Sequence, residues 1–339
     1  MKLKGALIGF GKIAQTAHLQ AFESEQLKAS AEIIAAAEPN NENRKLSEKQ
    51  FPAIKIYSST KELLENEELD FIDITTPPKY HSELIMEGLK NKLHIICEKP
   101  FTFNVEQAEH ISKLLKQSKL VFMPCHQYRF SPLWKNFKDL IDVDKSNSKF
   151  LLQFNVFRDK ADLGLPIFNS PWRVDKQMSG GGILADTGIH YLYLAYWMLG
   201  KPLQVTTKIF NLGHDDYKVE DTSFTIIEFE KGVAEITLTW AADKRDNSAR
   251  LVSSNNSLIY NGGDSLTKNS DGASEIIRVV NASEKTHYSF LYSELFSLFF
   301  NKIKSGGESF DLIDEAYQSV KLLESCYQSA ETGRTILLR

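Results

Sequence analysis

Cysteine is scarce in this chain of 339 residues: Cys97, Cys125 and Cys326 are odd in number, widely spread and without a C-x-x-C pair. That pattern excludes a disulfide framework and a cysteine zinc site, and it indicates a reducing, cytoplasmic compartment. H-E-x-x-H is missing, and His18, His81, His94, His110, His126, His214 and His287 show no ligand spacing, so no metal is expected. A long basic block is missing too. Lys+Arg number 40 against 44 Asp+Glu, a formal net charge of −4, which argues against nucleic acid as a partner. No apolar run reaches membrane-span length, and the run that follows Lys2 is too short for a signal peptide. No internal repeat is visible.

What remains is an ordinary globular composition, 42% hydrophobic and 25% charged. A chain this long exceeds one comfortable core, so two domains are expected, divided at 125/126. Leu3 to Gly9 reads as a strand running into Gly9-Phe10-Gly11-Lys12-Ile13-Ala14 and then helical spacing through Ala17, Leu19 and Phe22. In a G-x-G-x-x-A turn the first glycine makes the bend and the second admits a pyrophosphate. The alanine lets the helix pack close, with its N-terminus facing the anion. The second strand ends at Glu38, where a carboxylate suits ribose hydroxyls and repels a 2′-phosphate, favouring NAD over NADP. Arg44 lies close enough to weaken that preference, and a solvated acid before Pro39-Asn40 is the competing reading.

Strands and helices continue to alternate. Ile54–Ile56, Phe71–Thr75, His94–Cys97 and Leu120–Met123 are strands; Thr60–Glu67, Tyr80–Lys90 and Asn104–Gln117 are helices. The alternation implies a doubly wound parallel sheet, with Gly9–Ala14, Glu38, Thr75–Pro78 and Glu98–Pro100 on its carboxyl edge. Lys99 stands between an acid and a proline, which keeps it extended and prevents a helix from starting there. Taken alone, it is a surface lysine in a turn. Beyond a helix at Pro132–Ile141 and a polar loop at Asp142–Ser148 the pattern changes. Leu151–Arg158, Val205–Phe210, Phe224–Phe229 and Val233–Trp240 read as strands without regular crossover helices. They predict a C-terminal α+β domain on an open, mainly antiparallel sheet. Asn255–Ala273 reads as hairpin loops, Tyr288–Ile303 and Asp311–Ala330 as helices, and Thr335–Leu338 as an edge strand.

Within that domain, Ser179-Gly180-Gly181-Gly182-Ile183-Leu184-Ala185-Asp186-Thr187-Gly188-Ile189-His190 stands out. Three glycines read as a flexible entry to a buried helix. Asp186 and His190, four apart, share one helical face and suit proton transfer. A dipole-favoured acid with a core histidine is the plainer alternative. Upstream, Trp172-Arg173 offers an indole face for a sugar ring and a guanidinium for hydroxyls or a carboxylate; a structural tryptophan with a surface arginine is the alternative.

In order, G-x-G-x-x-A, E-K-P, W-R and G-G-G-x-x-x-D-x-G-x-H resemble the glucose–fructose oxidoreductase, inositol dehydrogenase and MocA family, over most of the chain. The resemblance implies an N-terminal Rossmann domain that binds NAD, with NADP possible, through Gly9, Phe10, Gly11, Lys12, Ile13, Ala14, Glu38, Thr75, Thr76, Pro77, His81, Glu98 and Lys99. It implies hydride exchange at a secondary alcohol or ketone of a sugar, inositol or nucleotide sugar. Lys99 and His190 would share the proton work, with Asp186 orienting substrate and histidine. His126, Tyr128, Arg158, Trp172 and Arg173 would join Asp186 and His190 in contacting the substrate. A homodimer or homotetramer formed through the open sheet is expected by analogy. NAD-dependent glycoside cleavage through transient oxidation, and a sensor that binds without turnover, are the rival readings.

Overall fold

A computed structural model describes residues 2–144, 148–163, 171–270, 272–281 and 288–338; His287 and part of the loop expected at Asp142–Ser148 lie outside them. Among the described residues, one compact unit takes Met1–Gln127 and Tyr288–Tyr317. The other takes Tyr128–Asp162, Trp172–His287 and Gln318–Arg339.

In the first unit, β1 (Leu3–Ile8) leads through the glycine turn into a π-helical turn, Ala14–His18, and α1 (Leu19–Phe22). β2 (Ala31–Ala37), α2 (Asn41–Gln50), β3 (Lys55–Tyr57), α3 (Thr60–Asn66), β4 (Phe71–Ile74), α4 (His81–Lys90), β5 (His94–Cys97), α5 (Val105–Ser118) and β6 (Phe122–Pro124) follow. The six strands are all parallel, in the order β3-β2-β1-β4-β5-β6. Phe71, Ile72 and Ile74 of β4 are buried on both faces of the sheet, as a parallel sheet covered by helices requires. Helix starts are set by short polar side chains: Asn40, Ser59 and Asn104 accept backbone N–H groups at the openings of α2, α3 and α5. Strand order reverses between β1 and β4, and ligands bind such sheets at that reversal.

The second unit contains α6 (Pro132–Val143), β7 (Phe150–Phe157), α7 (Lys176–Ser179), a π-helical turn at Leu184–Gly188 and α8 (Ile189–Leu199). Then come β8 (Pro202–Phe210), β9 (Thr222–Phe229), β10 (Gly232–Thr239), β11 (Asp246–Val252), β12 (Asn256–Tyr260), β13 (Ser265–Ser270) and β14 (Ala273–Arg278). Near the end of the chain lie α9 (Tyr288–Ser305), α10 (Phe310–Thr332) and the edge strand β15 (Ile336–Leu337). Its nine strands run β14-β13-β12-β11-β7-β10-β9-β8-β15, antiparallel except for the central pair β7 and β10. Asn255–Ala273, read from sequence as hairpin loops, is instead two strands, because Leu258, Tyr260 and Leu266 alternate inward.

The stretch Tyr288–Tyr317, which the sequence reading placed in the C-terminal domain, packs into the first unit. The reason is aromatic. Phe296 of α9 stacks on Phe22 at 4.7 Å, and Phe299 and Phe300 meet Phe71 edge-on at 5.9 and 5.3 Å. These rings cover apolar surface that the N-terminal helices leave open.

Candidate active site

Gly9 has φ +90°, and a Cβ there would come within 2.8 Å of Thr76 Cγ2, so the close approach of β1 and β4 demands glycine. Gly11 differs, since a Cβ on it would meet nothing within 4 Å. Its outer face is open. Phe10 and Ala14 are buried with Leu7, Leu19 and Ala36, which fixes the turn from below, while Lys12 and Ile13 are half-buried above it. Thr75 Oγ1 donates to the Gly9 carbonyl at 2.5 Å. Thr76 Oγ1 is buried and has no hydrogen-bond partner. An open glycine face beside an unsatisfied hydroxyl, at the sheet's reversal point, fits a bound dinucleotide.

Glu38 is not a solvated acid. It is 7% exposed, and its carboxylate accepts the N–H groups of Phe10 at 3.3 Å and Asn40 at 2.9 Å, joining the ends of β1 and β2. Burial pushes its pKa up, against those two amides and the nearby Arg44. Arg44 itself donates to the carbonyls of Glu38 and Pro39.

Two buried histidines tie the remaining loops together. His18, on the turn after the glycine motif, places Nδ1 at 2.7 Å from Asp73 Oδ2 and Nε2 at 3.0 Å from Glu98 Oε1. Tyr292 donates to the same Glu98 oxygen at 2.5 Å, and the Lys99 backbone N–H reaches Glu98 Oε2 at 3.1 Å. His81 lies between the carbonyl oxygens of Thr76 and Pro100, 2.8 Å from each. Pro77 opens the short turn that leads to it. Lys99, half-buried, is therefore held on both sides: its own amide by Glu98 and the following carbonyl by His81.

Charge on this cluster is settled by its neighbours. Burial opposes a charge on His18, yet Asp73 and Glu98 raise it to about 9. Burial would also raise Glu98, but His18, Lys99 and Tyr292 hold it down at about 2. Asp73 is pushed upward by burial, and its Oδ1 has no hydrogen-bond partner. Glu98 is thus the firmly ionised member. His18, Asp73 and the Cys125 thiol bring ligand atoms within 4.8 Å of one another. Both imidazole nitrogens already face carboxylates, and burial pushes the pKa of the Cys125 thiol up. The family resemblance singles out His81 for the cofactor, whereas His18 was passed over as a site residue, because its partners Asp73 and Glu98 are brought close only by the parallel sheet.

In the second unit, Arg173 stacks over Trp172 at 4.3 Å and donates through Nε to Asp186 at 3.1 Å. His190 places Nδ1 3.0 Å from the Tyr193 hydroxyl, which also accepts the Tyr128 amide at 3.1 Å, and Tyr128 stacks on the imidazole at 4.3 Å. The triple glycine is not a flexible entry. A Cβ at Gly181 would fall 1.8 Å from Tyr327 Oη, and one at Gly182 would fall 1.9 Å from the Glu220 carbonyl. Glu220 is buried and accepts the amides of Gly182 and Leu184 together with the Tyr327 hydroxyl, anchoring the turn that carries Asp186. Arg158 donates to the carbonyls of Phe157 and Asp246 and to Asn247, a role in bracing the sheet. His126 meets Glu315 at 2.6 Å inside the first unit, and both are buried. Tyr193 and Glu220 were not foreseen; neither belongs to a sequence motif.

A Rossmann-type unit joined to an α+β unit that carries a shielded Asp and His defines a two-unit architecture. The chain belongs to the GFO/IDH/MocA family: residues 3–126 match its NAD-binding Rossmann domain and residues 150–259 match its C-terminal domain. D-glucoside 3-dehydrogenase of Escherichia coli is 22% identical over 99% of this chain and 97% of its own length. An oxidoreductase of Schizosaccharomyces pombe is 26% identical over 61% of this chain and 55% of its own. The chain thus spans about half the length of the first curated relatives it matches. Levoglucosan dehydrogenase, solved with NADH and levoglucosan, shares the fold at a TM-score of 0.84, with 19% identity over 99% of both chains. Among the described residues, no helix is long and apolar enough to cross a membrane.

Proposed function

We propose that this protein is an NAD-dependent dehydrogenase that exchanges hydride at a secondary alcohol or ketone of a sugar or polyol. The observation that supports it most is Lys99, held at both its amide and the next carbonyl on the same carboxyl edge of the sheet as the open glycine turn. Such fixation serves a group that must meet a reacting oxygen, because a hydroxyl gives up hydride only as its proton departs. NAD⁺, when bound, supplies the hydride acceptor. The glycine turn and Thr76 hold it, and the Glu38 carboxylate disfavours a 2′-phosphate. The Lys99 amine takes the hydroxyl proton in the oxidative direction and returns it in the reductive one. In the second unit, Trp172, Arg173 and Asp186, with His190 steadied by Tyr193 and Tyr128, offer polar groups of the kind that suit sugar hydroxyls. The kinship with D-glucoside and levoglucosan dehydrogenases supports a sugar as substrate class.

The test is NADH formation across a panel of aldoses, glycosides, inositols and polyols. Lys99→Ala is expected to lower turnover by about 10²–10⁴-fold while NADH still binds. Full turnover in that variant overturns the assignment of Lys99, and glycoside cleavage without net NADH overturns the dehydrogenase. We also infer a cytoplasmic homo-oligomer joined through the open face of the nine-stranded sheet. There Phe210, Phe224, Ile226, Leu151 and Val252 lie exposed together.

A further inference from the structure

Both carboxylate oxygens of Glu98 are engaged within the protein. One oxygen is gripped by His18 and Tyr292, and the other receives the amide of the neighbouring lysine. His18 lies four residues beyond Ala14, on the turn that the glycine motif opens, and is fully buried. Tyr292 comes from α9, also buried, with its ring 4.2 Å from that of His18. Three separate elements therefore converge on a single carboxylate whose remaining task is to hold the Lys99 backbone.

We propose that His18 and Tyr292 are positioning residues for the reaction, acting through Glu98 to set where Lys99 stands relative to the glycine turn. The inference rests on the reading of Lys99 as the proton-transfer group. Neither residue touches substrate in this scheme. Each acts because a carboxylate fixed at both oxygens cannot swing, and a backbone amide bonded to it cannot drift. Catalytic geometry is steep in distance, since a misplacement near 1 Å can cost about 10²-fold in rate. Because His18 belongs to the turn that bears the dinucleotide site, nucleotide and lysine are held in register by the same imidazole.

Tyr292→Phe keeps the ring and removes a single hydrogen bond, so the fold should survive; His18→Gln is the stronger lesion, because it removes the cation that Asp73 and Glu98 share. The expected result for Tyr292→Phe is a fall in kcat of about 10-fold or more, with the NADH dissociation constant, read by fluorescence, changed less than about threefold. In a Lys99→Met background Tyr292→Phe should have no further effect on residual turnover, because both changes act on the same group. A folded Tyr292→Phe enzyme with native kcat overturns the proposal, as does a loss confined to nucleotide binding or one that simply adds to the Lys99→Met loss. If Lys99→Met itself keeps native turnover, the reading of Lys99 has failed, whatever Tyr292 does.

Discussion

At the scale of the residue, His18 governs how the molecule responds to pH. Its folded pKa of about 9 lies above its ordinary value of 6.5, so the stability it lends is complete below 6.5 and lost as pH rises through 9. Glu98 behaves in the opposite sense: held at about 2 against an ordinary 4.5, its contribution is present above 4.5 and lost as pH falls through 2. Urea denaturation of the native protein should therefore show a loss on the order of 3 kcal/mol between pH 6.5 and 9 that His18→Gln does not share. Parallel profiles for the two proteins would remove the charged imidazole from the account. No sequence pattern announces this cluster. His18, Asp73 and Glu98 come from three distant segments, and Asp73 sits in the middle of an apolar strand where an acid ordinarily argues against burial.

At the scale of the element, the glycine motifs carry two different constraints. Gly182 is packed shut by Glu220, and Gly11 is left open. Gly182→Ala should lower stability by about 1–3 kcal/mol through overpacking. Gly11→Ala should leave the melting temperature close to native while weakening NADH binding, measured by fluorescence titration. Equal stability losses in the two variants would contradict the open face at Gly11. Most elements were legible because their apolar spacing is strong: β4, β5 and α8 are hydrophobic enough to identify unaided. α2 was not, since its buried side chains are Asn43 and Ser47 and its cap Asn40 hides behind Pro39. β12 and β13 were missed for a related reason. Each buries few apolar side chains, and the serines and asparagines between them are turn formers by type. The Asp186 and His190 motif was legible as a pattern, but its anchors Glu220, Tyr327 and Tyr193 were not, because contact with the glycines is made only on folding.

At the scale of the whole molecule, the face of the nine-stranded sheet opposite α8 presents Phe224 and Ile226 at 45% and 54% exposure. Phe224→Lys with Ile226→Lys should reduce the mass seen by sedimentation to that of one chain without disturbing the far-ultraviolet dichroism. An unchanged mass would rule this face out as the interface. The placement of α9 has a consequence for how the chain is made. Phe296 closes over Phe22, and Tyr292 reaches Glu98 across 194 positions of sequence. Synthesis runs from the N-terminus, so the nucleotide-binding unit is the first to start leaving the ribosome and yet is not complete until Tyr288–Tyr317 has followed. Until α9 arrives, Phe22, Phe71 and the acid that anchors Lys99 wait without their lid, while the intervening sheet already has nearly all of its strands.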